Sequence, residues 1–280
     1  MSGGKEGKIR RWRAEDGMEV GTPMDAGSVV CNLAVSRDGK RIVSGTGSGE
    51  LAVWDAQTHK KVTGWKGHSG GVHAVDISPD GTRIATGSDD CAACVWSPTG
   101  QRLLGPLQHN SEVVAAKLAP DGHLIATTTW RSSVWVYDSQ SGDLLVDIPV
   151  KVADSFNQSL VWVGNSKNLF VLSDGNINYL DASTGTTLSS WPIHSSNNYG
   201  CIVLANNGTL ITASTGSSVS LWDATTHKRL GSIIKHTDPV MTMAISADYD
   251  LVTGVGKAIT LRNICKGLPT SYYKDVSVLA

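Results

Sequence analysis

A period of about 42 residues runs through the whole chain and constrains its fold more than any other feature. The segment LAVWDAQTHKKV around Trp54 recurs as VSLWDATTHKRL around Trp222. In chain order the matching positions hold Trp12, Trp54, Trp96, Tyr137, Leu180, Trp222 and Arg262, at steps of 42, 42, 41, 43, 42 and 40 residues. A fixed period of roughly 20–50 residues indicates a repeat architecture in which each unit packs on its neighbours.

Each repeat also contains a turn signal followed by a short run of β-branched and apolar residues. SRDGKRIVSG (36–45) and SPDGTRIATG (78–87) are near copies, APDGHLIATT (119–128) is similar, and ANNGTLITAS (205–214) and SADYDLVTGV (246–255) are weaker. An apolar run precedes each of these segments, and the Trp position and a T-G or T-H-K turn follow it. This pattern predicts four short antiparallel strands per repeat, here called a, b, c and d, which together form one blade.

The two ends of the chain fall inside a repeat. Residues 2–12 align with the end of a strand b and a strand c, and residues 275–280 resemble a strand a. We therefore predict one all-β domain, residues 1–280: a β-propeller with seven blade positions, the seventh incomplete and built from both termini. The expected units are a partial blade at 1–24, full repeats at 25–66, 67–107, 108–150, 151–193, 194–234 and 235–274, and a last strand at 275–280.

The repeats resemble those of the WD-repeat (WD40) β-propeller family, including the WD repeats of fungal multi-repeat proteins. The best instance combines Gly67-His68, Ser78-Pro79-Asp80-Gly81, Gly87-Ser88-Asp89-Asp90 and Val95-Trp96 at the family's spacing. The resemblance implies a buried hydrogen-bonded tetrad, which falls on His68, Thr86, Asp90 and Trp96. Other blades depart from it: Ser48, Arg131, Gly216 and Gly256 replace the Asp.

The composition argues against several classes of protein. The chain has 24 Lys and Arg against 25 Asp and Glu, a net charge of −1, which is unlike a polybasic nucleic-acid binder. No apolar run approaches a membrane span, and the polar, basic start lacks the apolar core of a signal peptide. Five Cys at scattered spacings do not form a disulfide framework, so we expect a cytoplasmic or nuclear protein.

Several residues that resemble chemical motifs are better explained by the repeat. Cys91 and Cys94 have no second pair, and an offset of three along a strand would put them on opposite faces. The histidines His68, His109, His194 and His236 recur with the period and are expected to be structural. His59 and His227 lie in T-H-K turns and are expected to be solvated. The GTGSG segment at 45–49 lacks the Lys and the helix start of a phosphate loop.

Bulky or charged residues in turns are the candidates for partner binding, because aromatic and Arg side chains on a rigid rim are typical interface anchors. The predicted partner-binding rim consists of Trp130, Arg131, Phe156, Tyr199, Asp89 and Asp238. An alternative for Trp130 is that its ring folds over its own blade.

The predicted function is a non-catalytic scaffold that presents rim loops to a protein partner, with no catalytic residue, cofactor or metal. Membrane, nucleic acid and small-molecule substrates are not expected as partners. One alternative is an enzyme housed in a propeller, since LDASTG with LSSW (180–191) resembles a repeat of quinone-cofactor dehydrogenases. Another is a fragment of a larger WD-repeat protein without independent function.

Overall fold

The computed structural model is a seven-bladed, all-β propeller, and it confirms the predicted fold class. It describes residues 1–130, 133–150, 159–173, 175–193, 200–205, 208–246, 248–256, 258–265 and 268. Most blades are four-stranded antiparallel sheets, and two of the sheets have three strands in the described residues. Arg131, Phe156, His194, Tyr199 and the expected strand at 275–280 lie outside these ranges.

The strands follow the repeat in order. The N-terminal sheet contains β1 (Ser2–Gly3), β2 (Lys8–Arg10) and β3 (Met24–Asp25). The first blade contains β4 (Val30–Val35), β5 (Arg41–Thr46), β6 (Glu50–Asp55) and β7 (Lys61–Lys66). The second contains β8 (Val72–Ile77), β9 (Ile84–Ser88), β10 (Ala92–Trp96) and β11 (Arg102–Gln108). The third contains β12 (Val113–Leu118), β13 (Leu124–Thr129), β14 (Val134–Asp138) and β15 (Leu144–Ile148).

The remaining sheets continue the same pattern. The fourth blade contains β16 (Leu160–Trp162), β17 (Asn168–Ser173), β18 (Asn176–Asp181) and β19 (Thr187–Pro192). The fifth contains β20 (Ile202–Ala205), β21 (Leu210–Thr215), β22 (Ser218–Asp223) and β23 (Arg229–Lys235). The sixth contains β24 (Val240–Ile245), β25 (Asp250–Val255) and β26 (Ala258–Asn263).

The hydrophobic core lies between blades. Each cluster of buried side chains joins two consecutive blades: Val43, Leu51 and Val53 of the first blade, for example, pack with Val72, Ile84 and Trp96 of the second. The same pairing repeats from the N-terminal sheet to the sixth blade. Strand b lies within its sheet, between strands a and c, and both of its faces are covered. For this reason β9, β17 and β21 are buried along their whole length. Packing between neighbours therefore provides the main cohesion of the ring.

The turn between strands c and d rests on the preceding blade. One residue of this turn has a positive φ in five blades: His59 (60°), Gly100 (88°), Gly142 (81°), Gly185 (71°) and His227 (58°). His227 stacks on Trp191 of the preceding blade, with ring centroids 4.1 Å apart, and His59 Nδ1 lies 2.8 Å from the carbonyl oxygen of Thr22. The prediction that His59 and His227 are solvated holds only in part, because both side chains are half-buried and the turn places each ring against the neighbouring blade.

The turns lie on two opposite faces of the ring because successive strands run antiparallel. The upper rim is defined here by the turns that follow strand b (47–49, 89–91, 216–217 and Trp130) and the loops that lead into strand a (67–71, 109–112, 236–239). The lower rim consists of the a–b and c–d turns. Strands β4, β8, β12, β16, β20 and β24 contact one another in this order and surround the central axis.

Candidate functional site

Four side chains of the second blade form one hydrogen-bonded network beneath the upper rim. His68 Nδ1 lies 3.1 and 3.0 Å from the two carboxylate oxygens of Asp90, and His68 Nε2 lies 2.7 Å from Thr86 Oγ1. Trp96 Nε1 donates to the same Thr86 oxygen at 2.9 Å. Thr86 is fully buried, and His68 and Trp96 are buried as well. The structure thus brings together the four residues that the resemblance implied.

The charge states follow from these partners. Because a carboxylate can only accept, the Nδ1–H of His68 donates to Asp90, and Nε2 accepts from the Thr86 hydroxyl. Burial lowers the pKa of His68 despite the opposing effect of Asp90, so the ring is neutral near neutral pH. Burial acts to raise the pKa of Asp90, but His68 and the Ser69 N–H outweigh it, and the pKa lies below its ordinary value. The network therefore fixes the 67–71 loop on the strand beneath it.

Other blades keep only parts of this network. In the third blade His109 Nε2 lies 2.9 Å from Thr127 Oγ1 and 3.2 Å from Tyr137 Oη. In the first blade Trp54 Nε1 donates to Ser44 Oγ at 2.9 Å, but Ala26 stands where the second blade has His68. The second blade is thus the one in the described residues whose loop is held by all four groups.

The fifth blade shows what happens when the hydroxyl is lost. Its strand b has Ala213 at the position of Thr86, two residues beyond the pairing partner of the Trp. Trp222 Nε1 donates instead to Ser220 Oγ on its own strand, at 2.9 Å. The neighbouring Thr212 hydroxyl is buried and has no hydrogen-bond partner in the described structure.

The predicted rim residues that are described lie at different places on the upper rim. Asp89 is next to the tetrad, with its Oδ1 2.8 Å from His73 Nε2. Trp130 is half-buried, and its backbone N–H donates to the Glu112 carbonyl at 3.1 Å. Asp238 is exposed in the loop that leads into β24. The predicted positions of Arg131, Phe156 and Tyr199 lie outside the described residues.

Sequence reasoning missed His73, which lies on β8 beside the central axis. A β-bulge in four of the a strands falls on equivalent residues, Cys31, His73, Val114 and Met241. A bulge leaves one residue unpaired and re-aims its side chain. Their step of about 42 residues was visible in the sequence, but bulges carry no residue signature that could have identified them.

The backbone beside His73 consists of glycine at Gly71 and Gly47, and these two residues are called the glycine floor below. A Cβ on Gly71 would lie 2.8 Å from Asp89 Oδ2 and 3.2 Å from His73 Nε2, and 3.5 Å from the Cα of Gly47. At this point of the upper rim a partly exposed His–Asp pair therefore lies against backbone.

The two cysteines of the C-A-A-C segment do not converge. Cys91 lies in the turn before β10, with φ 64°, so it is not on the strand as the offset argument assumed. Cys94 is buried, and burial raises the pKa of its thiol to about 11. Within the described ranges, no group of three or more His, Cys, Asp or Glu side chains is placed to hold a metal ion.

A ring of radial four-stranded sheets with a His–Thr–Asp–Trp network defines a repeat propeller. A family model described as "WD domain, G-beta repeat" matches residues 21–55 and 59–97, the latter ending one residue after the Trp of the tetrad. These two segments are thus WD40 repeats, and the relatives of the chain include WD-repeat proteins.

The relatives cover different shares of the chain. WD repeat-containing protein 1 of Xenopus tropicalis is 25% identical over 259 residues, which is 86% of this chain and 41% of the relative. Small ribosomal subunit protein RACK1y of Oryza sativa subsp. japonica is 30% identical over 49% of this chain and 42% of its own length. Protein groucho of Drosophila melanogaster is 32% identical over 40% of this chain and 15% of its own length. The chain spans less than half the length of each of these relatives.

Proposed function

We propose that the protein is a non-catalytic scaffold whose upper rim docks a protein partner through Trp130, Asp89 and Asp238, with Arg131, Phe156 and Tyr199 as further candidates. The observation that carries the proposal is the partly exposed His73–Asp89 pair over a glycine floor, next to a loop held by the tetrad. A rigid ring that fixes its loops before binding loses little entropy when a partner docks. The relatives' WD repeats support an interaction role, and no match reported above favours a quinone-cofactor dehydrogenase.

The proposed location is the cytoplasm or nucleus. All five cysteines are free, as a reducing compartment requires. The described residues contain no helix with the length and apolarity needed to cross a bilayer.

The proposal is tested by comparing rim variants in affinity capture from native extract, with quantitative mass spectrometry. Trp130→Ala and Asp89→Asn should each lower the yield of the same partner set several-fold, while the melting temperature changes little. Lys228→Gln, an exposed change on the lower rim, is the matched control and should leave the yield unchanged. If Trp130→Ala lowers the melting temperature and leaves the partner set intact, Trp130 is a packing residue and the proposed rim is wrong.

A further inference from the structure

Arg11 occupies a position that is apolar in the other repeats. It precedes the Trp position, where the following blades have Val53, Val95, Val136, Tyr179, Leu221 and Leu261. Val53 is buried between the first two blades. The Arg11 side chain extends likewise from the N-terminal sheet towards the first blade, where its Nη1 donates to the Ala56 carbonyl at 3.1 Å. The fold itself therefore does not require a cation here.

A cavity opens around this guanidinium on the lower rim. Its volume is about 470 Å³, and it is lined by Arg11, Gly39, Lys40, Asp55, Ala56 and Gln57. The corresponding place between the second and third blades is closed by Arg83, whose Nη1 lies 3.2 Å from the Gly122 carbonyl and 2.8 Å from Ser139 Oγ. Arg83 thus has several acceptors in its groove. In the described structure, the Ala56 carbonyl is the one acceptor that Arg11 has, although a guanidinium carries five N–H donors.

The acidic group that lines the cavity, Asp55, makes no ion pair with Arg11 in the described structure. The Oδ1 of Asp55 accepts from the backbone N–H groups of Gln57 and Thr58 and from the Thr58 hydroxyl. No ion pair within the described ranges joins Asp55 to Arg11 or to Lys40. The Asp55 carboxylate thus bonds within its own turn, and the two cations, Arg11 and Lys40, outnumber the one carboxylate that lines the cavity.

The surrounding turns are basic. The a–b and c–d turns of the first blade add Arg37 and Lys60, and the adjoining strand ends add Arg41 and Lys61, whereas the acidic residues here are Asp38 and Asp55. The same two turns of the third blade carry Asp121, Asp138 and Asp143. Because the net charge of the whole chain is −1, this is a local concentration of positive charge and not a general property of the protein. A long polyanion that crosses this face would meet the acidic turns of the third blade.

We infer that the cavity between Arg11 and Lys40 is a second binding site, which takes a carboxylate side chain from an acidic peptide segment of a protein partner. A guanidinium presents a planar fork that matches a carboxylate in two parallel hydrogen bonds. Lys40 and the basic turns attract the flanking acidic residues of the segment. The site lies on the face opposite the proposed upper-rim site, so the ring can hold two partners at once.

The test measures fluorescence anisotropy of labelled hexaglutamate titrated with the full chain. Arg11→Val should weaken binding about tenfold or more, the factor expected for loss of a charge-assisted hydrogen bond. Because other blades carry Val at this position, this variant keeps the fold, which circular dichroism checks. Arg11→Lys retains the charge but loses the planar fork of the guanidinium. Its affinity for hexaglutamate should lie between the affinities of Arg11→Val and the wild type. Lys40→Gln should weaken binding about two- to fivefold.

Controls separate this site from the upper rim. Lys228→Gln removes an exposed lysine from the lower rim of the fifth blade, and Trp130→Ala alters the upper rim; both should bind hexaglutamate as the wild type does. The inference is overturned if Arg11→Val binds hexaglutamate unchanged, or if an oligothymidylate of matched charge binds more tightly than the peptide and depends on Arg11. Either result leaves the upper-rim proposal standing, because that proposal is tested with other variants.

Discussion

Replacing Thr86 by valine removes a single hydroxyl that serves two neighbours in the second blade. The Thr86 oxygen receives the Trp96 Nε1–H at 2.9 Å and lies 2.7 Å from His68 Nε2. Valine has nearly the same shape, so the variant leaves the packing in place and leaves two buried polar groups without a partner. Each such group costs about 1–3 kcal/mol. We expect the free energy of unfolding to fall by about 2–4 kcal/mol, below the upper sum because the 67–71 loop can relax.

The fifth blade supplies a matched control. Thr212 is fully buried on a strand b, as Thr86 is, but its hydroxyl has no hydrogen-bond partner in the described structure. Thr212→Val therefore removes an unsatisfied polar atom and should raise the free energy of unfolding by about 1 kcal/mol. Both variants replace a fully buried strand-b threonine by valine, although Thr212 is the neighbour of Ala213, which occupies the position of Thr86; they differ in the hydrogen bonds that are lost.

The assay is urea unfolding followed by tryptophan fluorescence, with the slope of the transition checked for each variant. The two substitutions should change the free energy of unfolding in opposite directions. If both variants lose the same stability, the Thr86 bonds contribute nothing, and the loss reflects the exchange of hydroxyl for methyl alone. His68→Ala should also destabilise, because it leaves Asp90 and Thr86 without the ring between them, by about 1–3 kcal/mol.

Three further perturbations probe the same ring. Burial lowers the pKa of His68 and of His109 in the folded state, so the unfolded state binds more protons as the pH falls below about 6.5. The free energy of unfolding should therefore fall as the pH is lowered through that range, and it should fall less steeply in His68→Gln. Urea titrations at several pH values measure this dependence, and the same pH dependence in the variant and the wild type would contradict the prediction. Arg83→Ala removes the side chain that bonds Gly122 and Ser139 across two blades, and should lower the melting temperature by several degrees, by calorimetry. Gly49→Ala places a Cβ in steric clash with the His68 carbonyl oxygen at a φ of +81°, and should prevent soluble expression; a soluble product that melts cooperatively would contradict this.

The repeat was sufficient to predict the fold. The Trp position recurs in every blade and the turn signal was recognised in five of them, because period and turn chemistry are local properties of the sequence. The N-terminal sheet illustrates this: Trp12 Nε1 donates to Ser2 Oγ, as Trp54 does to Ser44 one period later.

The site was harder to predict because it depends on contacts between blades. His73 becomes a rim residue through a bulge and through the glycine floor beside it, and Arg11 gains its cavity from the turns of the next blade. His59 and His227 were expected in solvent because the sequence shows a turn but not the surface on which it rests. In each case the sequence did not show which residues of the adjacent blade the side chain would contact.

The c–d turns of these blades make their contacts with the blade that precedes them in the chain. The turn of each of these blades rests on the strand of the blade before it, as His227 rests on Trp191 and His59 on the segment around Thr22. A ribosome releases the chain from its N-terminus, so the surface that each turn needs has always been synthesised first. The order of translation is then the order in which the ring can be assembled, one blade added to the last. A circular permutant that begins within the fifth blade would separate Trp191 from His227 in time, and would have to join them only when the whole ring is complete.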